Sequence, residues 1–223
     1  MTDLRDTTVR PAFLLTGFGP FPGVPINISA KFAEHLAELS GHAFPDIKFV
    51  AAKLPTLWCE APGNLDKLYR THRPMFALHF GVSHLARSIT VECIAQNRAM
   101  HADADGHEPE TDKLLADGPA VCCATVPAGA LVDRLTQRSI PAVLSQDAGH
   151  YLCNAIFYYS LRAMNDLKIH GQCGFIHLPA DMPPRGSDEE YDARSQNLPF
   201  ETALEGGLEL IATLLQKPNA ETV

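Results

Sequence analysis

The chain has 223 residues, of which 46% are hydrophobic and 20% are charged, and this composition is typical of a folded protein of one or two domains. Its formal net charge of −8 gives no general attraction to phosphate backbones or anionic lipids, which argues against a nucleic-acid-binding protein. The polar N-terminus MTDLRDTTVRP has no signal-peptide pattern, and no stretch reaches the roughly 18 apolar residues of a membrane span, so we expect a cytoplasmic protein without membrane partners.

The predicted elements alternate between strands and helices along the chain. A buried strand over residues 13–15 leads into a glycine-rich loop over 17–23, and a helix capped by Asn27 or Ser29 follows and ends before Gly41. Further strands are predicted over residues 48–52, 75–80, 89–94, 121–126, 141–144 and 174–178, and further helices around Leu65 to Tyr69 and over 128–138, 151–167 and 201–215.

This alternation favours a mostly parallel sheet with helices on both faces. We find no internal repeat and no linker long enough to separate two domains. The sequence therefore predicts one α/β domain over residues 1–223, with polar tails at about 1–10 and 216–223.

The glycine-rich loop Gly17-Phe18-Gly19-Pro20-Phe21-Pro22-Gly23 follows a strand and precedes a helix, as a dinucleotide-binding loop would. Its two prolines lack N–H donors, and its two phenylalanines crowd the place of a pyrophosphate. Phe18 and Phe21 instead indicate an apolar slot with flat sides, or else ordinary core aromatics.

Cys153 lies in the first turn of a predicted helix, after the turn Asp147-Ala148-Gly149. Free N–H groups and the helix dipole stabilise a thiolate at such a position, and the same N–H groups can hold an oxyanion. The alternative interpretation is a small buried hydrophobic residue.

A nucleophilic cysteine needs a base, and the base needs an orienting group. His177 ends the strand that follows the Cys153 helix, which places it at the same carboxyl edge of a parallel sheet. Glu92 is a carboxylate in an apolar strand, where it needs a partner. We expect Glu92 to accept a hydrogen bond from His177, although a structural pairing with Arg98 is left open.

Rival candidates are weaker. His150 lies in the same turn as Cys153 and cannot easily reach a leaving nitrogen, and core packing is expected to explain Cys93, Cys122 and Cys123. The run His101 to Asp112 resembles a calcium loop but departs from that pattern at both ends, so we expect a solvated loop and no metal site.

Five motifs in order resemble the pyroglutamyl peptidase type I family: TGFGPF (16–21) with PIN (25–27), ITVE (89–92), SQDAGHYLCN (145–154) and FIHLP (175–179). GVSHLARSITVE (81–92) is more similar to animal-type members than to the typical bacterial ones. The resemblance implies an open α/β/α sandwich and a cysteine peptidase that removes N-terminal pyroglutamate from peptides without a cofactor.

The resemblance also implies roles for particular residues. Cys153, His177 and Glu92 match the family's catalytic positions, and Phe18 and Phe21 match two phenylalanines that flank the lactam ring. Asn27 matches an asparagine near that loop. Val82 stands where many bacterial members have a glutamine that contacts the ring, so the lactam hydrogen bond must come from elsewhere in this chain.

Two other hypotheses remain open. Val82 motivates a non-catalytic homologue that binds lactams or peptides, and the cysteines motivate a structural or redox role. The sequence also leaves open whether the chain forms a homo-oligomer.

Overall fold

The computed structural model describes residues 10–183 and 198–216, so most of the two expected polar tails lies outside the described residues. The strands are β1 Ala12–Phe18, β2 Lys48–Leu54, β3 Phe76–Ser83, β4 Ile89–Glu92, β5 Ile94–Gln96, β6 Val121–Cys123, β7 Ala142–Ser145 and β8 Gln172–Pro179. The helices are α1 Ser29–Ala43, α2 Ala61–His72, α3 Ala128–Gln137, α4 Leu152–Asp166 and α5 Phe200–Leu215.

Six strands form a central sheet in the order β2-β1-β3-β8-β4-β7. Every neighbouring pair is parallel except β4 and β8, which run antiparallel. Apolar residues of α1, α3 and α5 pack on one face of the sheet, and those of α2 and α4 pack on the other. The three-layer α/β/α architecture with a mostly parallel sheet is therefore confirmed.

Alternation along the strands decides which side chains face the layer of α2 and α4. Phe175 of β8 belongs to the core cluster on that side, whereas Ile176 and Leu178 belong to the cluster on the opposite side. By the period of two along a strand, His177 shares the face of Phe175.

The predicted strand over 89–94 is wrong as one element, because the chain changes sheet at Cys93. The Cys93 N–H donates to the carbonyl of Ser145 in β7 at 2.7 Å, while its own carbonyl accepts from the Ala124 N–H at 2.8 Å. β5 then pairs with β6 in a separate two-stranded ribbon. β6 is also shorter than predicted, since the N–H groups of Thr125 and Val126 turn away to the carbonyl of Cys173 in β8.

Asn27, rather than Ser29, caps the start of α1. Ile28 precedes the first assigned helical residue without a side-chain cap hydrogen bond of its own, and Asn27 Oδ1 accepts the Ser29 N–H at 3.1 Å. Ser29 instead holds the preceding loop: the Phe18 N–H donates to Ser29 Oγ at 2.9 Å, and Ser29 Oγ donates to Asn27 Oδ1 at 2.7 Å. The helix continues past Gly41 to Ala43.

Within residues 10–183 and 198–216, no helix has both the length and the apolar character that spanning a membrane requires.

Candidate active site

The turn before α4 presents Cys153 at a helix N-terminus, as the sequence predicts. Gly149 has φ +75°, a left-handed conformation that glycine adopts without strain, and its N–H donates to the Asp147 carboxylate at 3.0 Å. Tyr151 is the extended N-cap residue, and the Ala155 N–H donates to its carbonyl at 3.0 Å. The N–H of Cys153 precedes this hydrogen bond, so it has no acceptor within the helix and is available to an anion.

The strand below Cys153 must carry a glycine at position 81. A Cβ atom added to Gly81 would lie 2.6 Å from Cys153 Sγ and 2.9 Å from the Phe175 ring. Both distances are shorter than real Cβ contacts, so a side chain at this position would displace the sulfur. Gly81 pairs in register with His177 across β3 and β8, which brings the sulfur and the imidazole to the same place.

His177 and Glu92 meet in the sheet, as predicted. His177 Nδ1 lies 2.8 Å from Glu92 Oε1, and both residues are buried. The antiparallel pairing of β8 with β4 sets Thr90 opposite His177 and Glu92 opposite Phe175. Glu92 thus has the partner that a buried carboxylate needs, and this partner is His177 rather than Arg98.

The surroundings of His177 favour its protonated form. Burial lowers the pKa of this imidazole, but its interactions with Cys153 and with the hydrogen-bonded Glu92 carboxylate outweigh burial and raise the pKa from 6.5 to about 9. Near neutral pH the ring is therefore an imidazolium that lies between a sulfur and a carboxylate.

The second oxygen of Glu92 has no hydrogen-bond partner among residues 10–183 and 198–216, although it is buried. An acceptor in that position is costly unless a donor reaches it.

Phe18 is the last residue of β1, and Phe21 lies in the loop that follows it at the same edge of the sheet. The Phe18 ring is almost fully buried and lies 6.5 Å from the Phe175 ring, which in turn lies 5.0 Å from the His177 ring. The Phe21 ring is partly exposed and lies 5.8 Å from the Tyr151 ring. The Phe175 ring thus lies between Phe18 and His177, and Phe21 lies against Tyr151, two residues before Cys153. Contact of Phe18 and Phe21 with a ligand stays a prediction.

Asn27 and Val82 have different surroundings. Asn27 Nδ2 donates to the carbonyl of Gly19 at 2.9 Å, so its side chain shapes the loop that carries Phe18 and Phe21. The Val82 side chain is buried in the core cluster on the face of α1, α3 and α5, away from Cys153. Only the backbone groups of Val82 are left to contact a ligand, and a part for Val82 in binding stays a prediction.

Sequence reasoning missed Tyr151, two residues before Cys153, and Trp58, which packs on Tyr151. The Tyr151 hydroxyl is buried, and no group within residues 10–183 and 198–216 hydrogen-bonds to it. The Trp58 ring meets the Tyr151 ring edge-on at 5.7 Å. Tyr151 lies within the motif SQDAGHYLCN, but the burial of its hydroxyl depends on tertiary packing and cannot be predicted from the sequence.

The other candidate base, His150, and the other candidate nucleophiles, Cys93, Cys122 and Cys123, have different surroundings. His150 Nε2 is 3.4 Å from the Gln96 side-chain oxygen. The expectation that core packing explains three further cysteines is wrong for Cys123, which is exposed, and for Cys93, which is only partly buried, whereas the partly buried Cys122 packs against the core cluster of α2 and α4. They belong to the β5–β6 ribbon or its start, which lies outside the main sheet and therefore buries little.

The segment that resembles a calcium loop is held by its own backbone. Asp103 is buried rather than solvated, and it accepts N–H groups from Trp58, Asp105 and His107, each at 3.0 Å. Within the described ranges, no group of three or more His, Cys, Asp and Glu side chains could hold a metal ion.

Comparison with known proteins identifies the family. A family model described as pyroglutamyl peptidase matches residues 12–216. The chain belongs to the pyroglutamyl peptidase family. Members of this family are cysteine peptidases, so the chain is a hydrolase.

Named relatives in the pyroglutamyl peptidase family cover most of the chain. A pyrrolidone-carboxylate peptidase 1 from Ralstonia nicotianae is 34% identical over 76% of this chain and 78% of its own length. A pyrrolidone-carboxylate peptidase from Vibrio vulnificus is 31% identical over 91% of this chain and 92% of its own length.

Solved structures agree with this membership. A mutant pyrrolidone carboxyl peptidase from Pyrococcus furiosus has a TM-score of 0.78 and 28% identity, and the match covers 92% of this chain and 98% of the other. Pyroglutamyl peptidase I from Bacillus amyloliquefaciens has a TM-score of 0.78 and 26% identity, with 92% and 96% covered.

Proposed function

We propose that this chain removes an N-terminal pyroglutamyl residue from peptides, with Cys153 as the nucleophile, His177 as the general acid and base, and Glu92 as the residue that orients His177. Family membership supports the reaction. The observation that carries the residue roles is the hydrogen bond of 2.8 Å between His177 and Glu92, next to Gly81, against which the Cys153 sulfur lies at the N-terminus of α4.

In the first step the Cys153 thiolate attacks the carbonyl that links pyroglutamate to the next residue. The sulfur–carbon bond forms, and the carbonyl oxygen becomes an oxyanion that the N–H of Cys153 can hold. His177 then gives its proton to the leaving amine as the carbon–nitrogen bond breaks. A thioester between Cys153 and the pyroglutamyl group remains.

In the second step water hydrolyses the thioester. Neutral His177 takes a proton from the attacking water, the carbon–sulfur bond breaks, and free pyroglutamate leaves. The active site is then back to a thiolate and an imidazolium. Glu92 keeps Nδ1 protonated throughout, so that Nε2 is the nitrogen that exchanges protons with the substrate.

Selection of the lactam rests on shape and desolvation in this proposal. A pyroglutamyl group is flat and lacks a charged amino terminus, so a slot beside Phe18 and Phe21 accepts it without burying a charge. A free N-terminal ammonium in the same place would lose its hydration.

The remaining expectations belong to this proposal too. We propose that the chain works as one domain in the cytoplasm on small peptides.

The test compares initial rates on three chromogenic amides, pyroglutamyl, prolyl and glutaminyl, for the intact chain and for Cys153→Ala. Selective turnover of the pyroglutamyl amide that Cys153→Ala abolishes and Cys122→Ala retains is the expected result. Folded, reduced protein that binds a pyroglutamyl peptide without turnover would instead favour the non-catalytic homologue.

A further inference from the structure

A cavity of about 440 Å³ lies between residues 99–114, the turn of Trp58 and Cys59 before α2, and Tyr159 of α4. Trp58 and Tyr159 line it as aromatic walls. Neither the reaction steps nor the pyroglutamyl slot uses this space.

The cavity and the slot share a row of aromatic rings. The Phe21 ring lies 5.8 Å from the Tyr151 ring, and the Tyr151 ring lies 5.7 Å from the Trp58 ring. Tyr151 precedes Cys153 by two residues. Since an extended peptide advances roughly 3.4 Å per residue, a substrate bound beside Phe21 reaches the Trp58 wall with the next few residues after the scissile bond.

The Tyr151 hydroxyl at the middle of this row has no hydrogen-bond partner in the described part of the chain, yet it is buried. Burial, followed by the charges of Asp103 and Cys153, raises its pKa to about 12, so it stays a donor at neutral pH. Asp103 lines the cavity. The hydroxyl therefore lies near both the cavity and the nucleophile, and an unpaired donor there calls for an acceptor from a ligand.

The walls of the cavity are fixed before any ligand binds. Trp58 Nε1 donates to the carbonyl of His101 at 3.0 Å, and its backbone N–H donates to Asp103. The Tyr159 hydroxyl donates to the carbonyl of Leu114 at 2.9 Å. The segment 97–117 is thus tied to both aromatic walls.

Negative charge dominates the lining. Asp103, Glu108 and Glu110 line the cavity, together with Lys113 and His107. Asp103 is buried and already accepts three backbone N–H groups, so the exposed Glu108 and Glu110 carry the accessible negative charge. The whole segment 97–117 carries six Asp and Glu residues against two Lys and Arg residues. The accessible charge of the cavity is therefore complementary to a cationic side chain.

We propose that this cavity, here called the leaving-peptide cavity, receives the residues that follow the scissile bond and favours a leaving peptide that carries positive charge. The inference rests on the proposed function, since it names the class of substrate that the same site turns over fastest. The aromatic walls take the stem of a basic side chain, and Glu108 and Glu110 attract its charged end.

The experiment measures kcat/KM for three amidated dipeptides, pyroglutamyl-lysine, pyroglutamyl-glutamine and pyroglutamyl-glutamate, at low ionic strength. The intact chain is expected to prefer lysine over glutamate by about tenfold, and roughly 0.5 M salt should shrink this preference. In the double variant Glu108→Gln, Glu110→Gln the preference should fall to about twofold or less. Glu205→Gln, on the opposite face of the sheet, is the matched control and should keep it.

A preference near unity in the intact chain, or one that the double variant retains, would overturn the inference. Failure of the proposed function is a separate result, namely no turnover of any of the three peptides. In that case calorimetric titration of the same peptides decides the matter: tighter binding of the lysine peptide upholds the cavity, and equal binding overturns it.

Discussion

The proton on His177 controls the proposed reaction. Its pKa of about 9 means that the imidazolium needed for the leaving amine is present at neutral pH and is lost in alkali. We expect kcat/KM to fall on the alkaline side with a midpoint near pH 9. Because the pKa of His177 is higher in the folded protein than in the unfolded chain, the protonated imidazole stabilises the fold. This stabilisation is fully present below pH 6.5 and is lost as the pH rises through about 9.

Glu92→Gln should move that alkaline midpoint to lower pH, by about one unit, because burial continues to lower the pKa while the carboxylate no longer raises it. Activity should fall on the order of 10³-fold. Cys153→Ala should cost more, on the order of 10⁵-fold, since it removes the bond-forming atom. Full pH–rate profiles of both variants and the intact chain measure this, and equal losses in the two variants would contradict the ranking.

Phe21→Ala should raise KM for a pyroglutamyl amide by about tenfold and change kcat little, because it removes one apolar wall from the ring slot. Phe44→Ala, which deletes a ring of the same kind that packs against Phe49 at the far side of the sheet, is the matched control. An unchanged KM in Phe21→Ala would remove this ring from the site.

Gly81→Ala should cost at least about 100-fold in kcat, because the added methyl group would press on Cys153 Sγ. Gly129→Ala is the control, since a Cβ there meets nothing within 4 Å. The alkylation rate of Cys153 by iodoacetamide reports the displacement of the sulfur separately from folding. Normal kcat in Gly81→Ala would show that the sulfur has room to move.

The positions of Cys153, His177 and Glu92 could be predicted because each follows from local pattern: a helix start, a strand end and a charge in an apolar strand. Gly81 and Tyr151 could not be predicted this way. Both matter because of contacts with residues that are distant in the sequence. Gly81 lies against the Cys153 sulfur, and Tyr151 lies between the rings of Phe21 and Trp58.

A buried polar network joins two strands and two helices behind the site. His79 of β3 contacts Thr16 of β1 at 2.7 Å, Ser160 of α4 at 2.7 Å and Tyr69 of α2 at 3.3 Å. Burial lowers the pKa of His79 from 6.5 to about 3, so the folded protein holds it neutral. Neutral His79 therefore helps to hold α4, the helix that carries Cys153, in place against β1, β3 and α2.

We expect acid to lower the free energy of unfolding through His79. Between pH 6.5 and about 3 the unfolded chain binds a proton that folded His79 does not, so this residue lowers the unfolding free energy by about 1.4 kcal/mol per pH unit as the pH falls. Urea unfolding at pH 7 and near pH 4.5 measures the loss for the intact chain and for His79→Gln.

The His79→Gln variant should be less stable at pH 7 and show a smaller acid loss than the intact chain. His42→Gln, at an exposed position of α1, should keep the full acid loss. Identical acid dependence in the intact chain and His79→Gln would mean that another group controls acid unfolding.

Regular elements such as β1, β3, β8, α4 and α5 could be predicted to within a few residues because apolar periodicity marks them. The break between β4 and β5 could not, since the alternation of residues 89–94 runs on unbroken. The break is set by the hydrogen bonds of Cys93 to two different sheets. Likewise, no local signal marks β4 as antiparallel to β8.

Across the whole molecule, the sheet brings distant parts of the chain to one edge. Residues 17–23, 54–60 and 97–117 meet the start of α4 there, and the hydrogen bonds from Thr56 and Asn27 to the Gly19 carbonyl join two of them. The layer order could be predicted from the alternation of strands and helices. The arrangement of segment 97–117 could not, because its polar sequence has no periodicity and its contacts are made by single side chains such as Trp58 and Asp103.

If Cys153 is the nucleophile, it carries the pyroglutamyl group as a thioester during turnover. Mass spectrometry of the intact chain, acid-quenched within the first turnovers of a pyroglutamyl amide and followed by peptide mapping, detects this intermediate. We expect a population heavier by one pyroglutamyl acyl group, located on the peptide that contains Cys153, and absent from Cys153→Ala. Turnover with the acyl group on another residue, or with equal activity in Cys153→Ala, would contradict it.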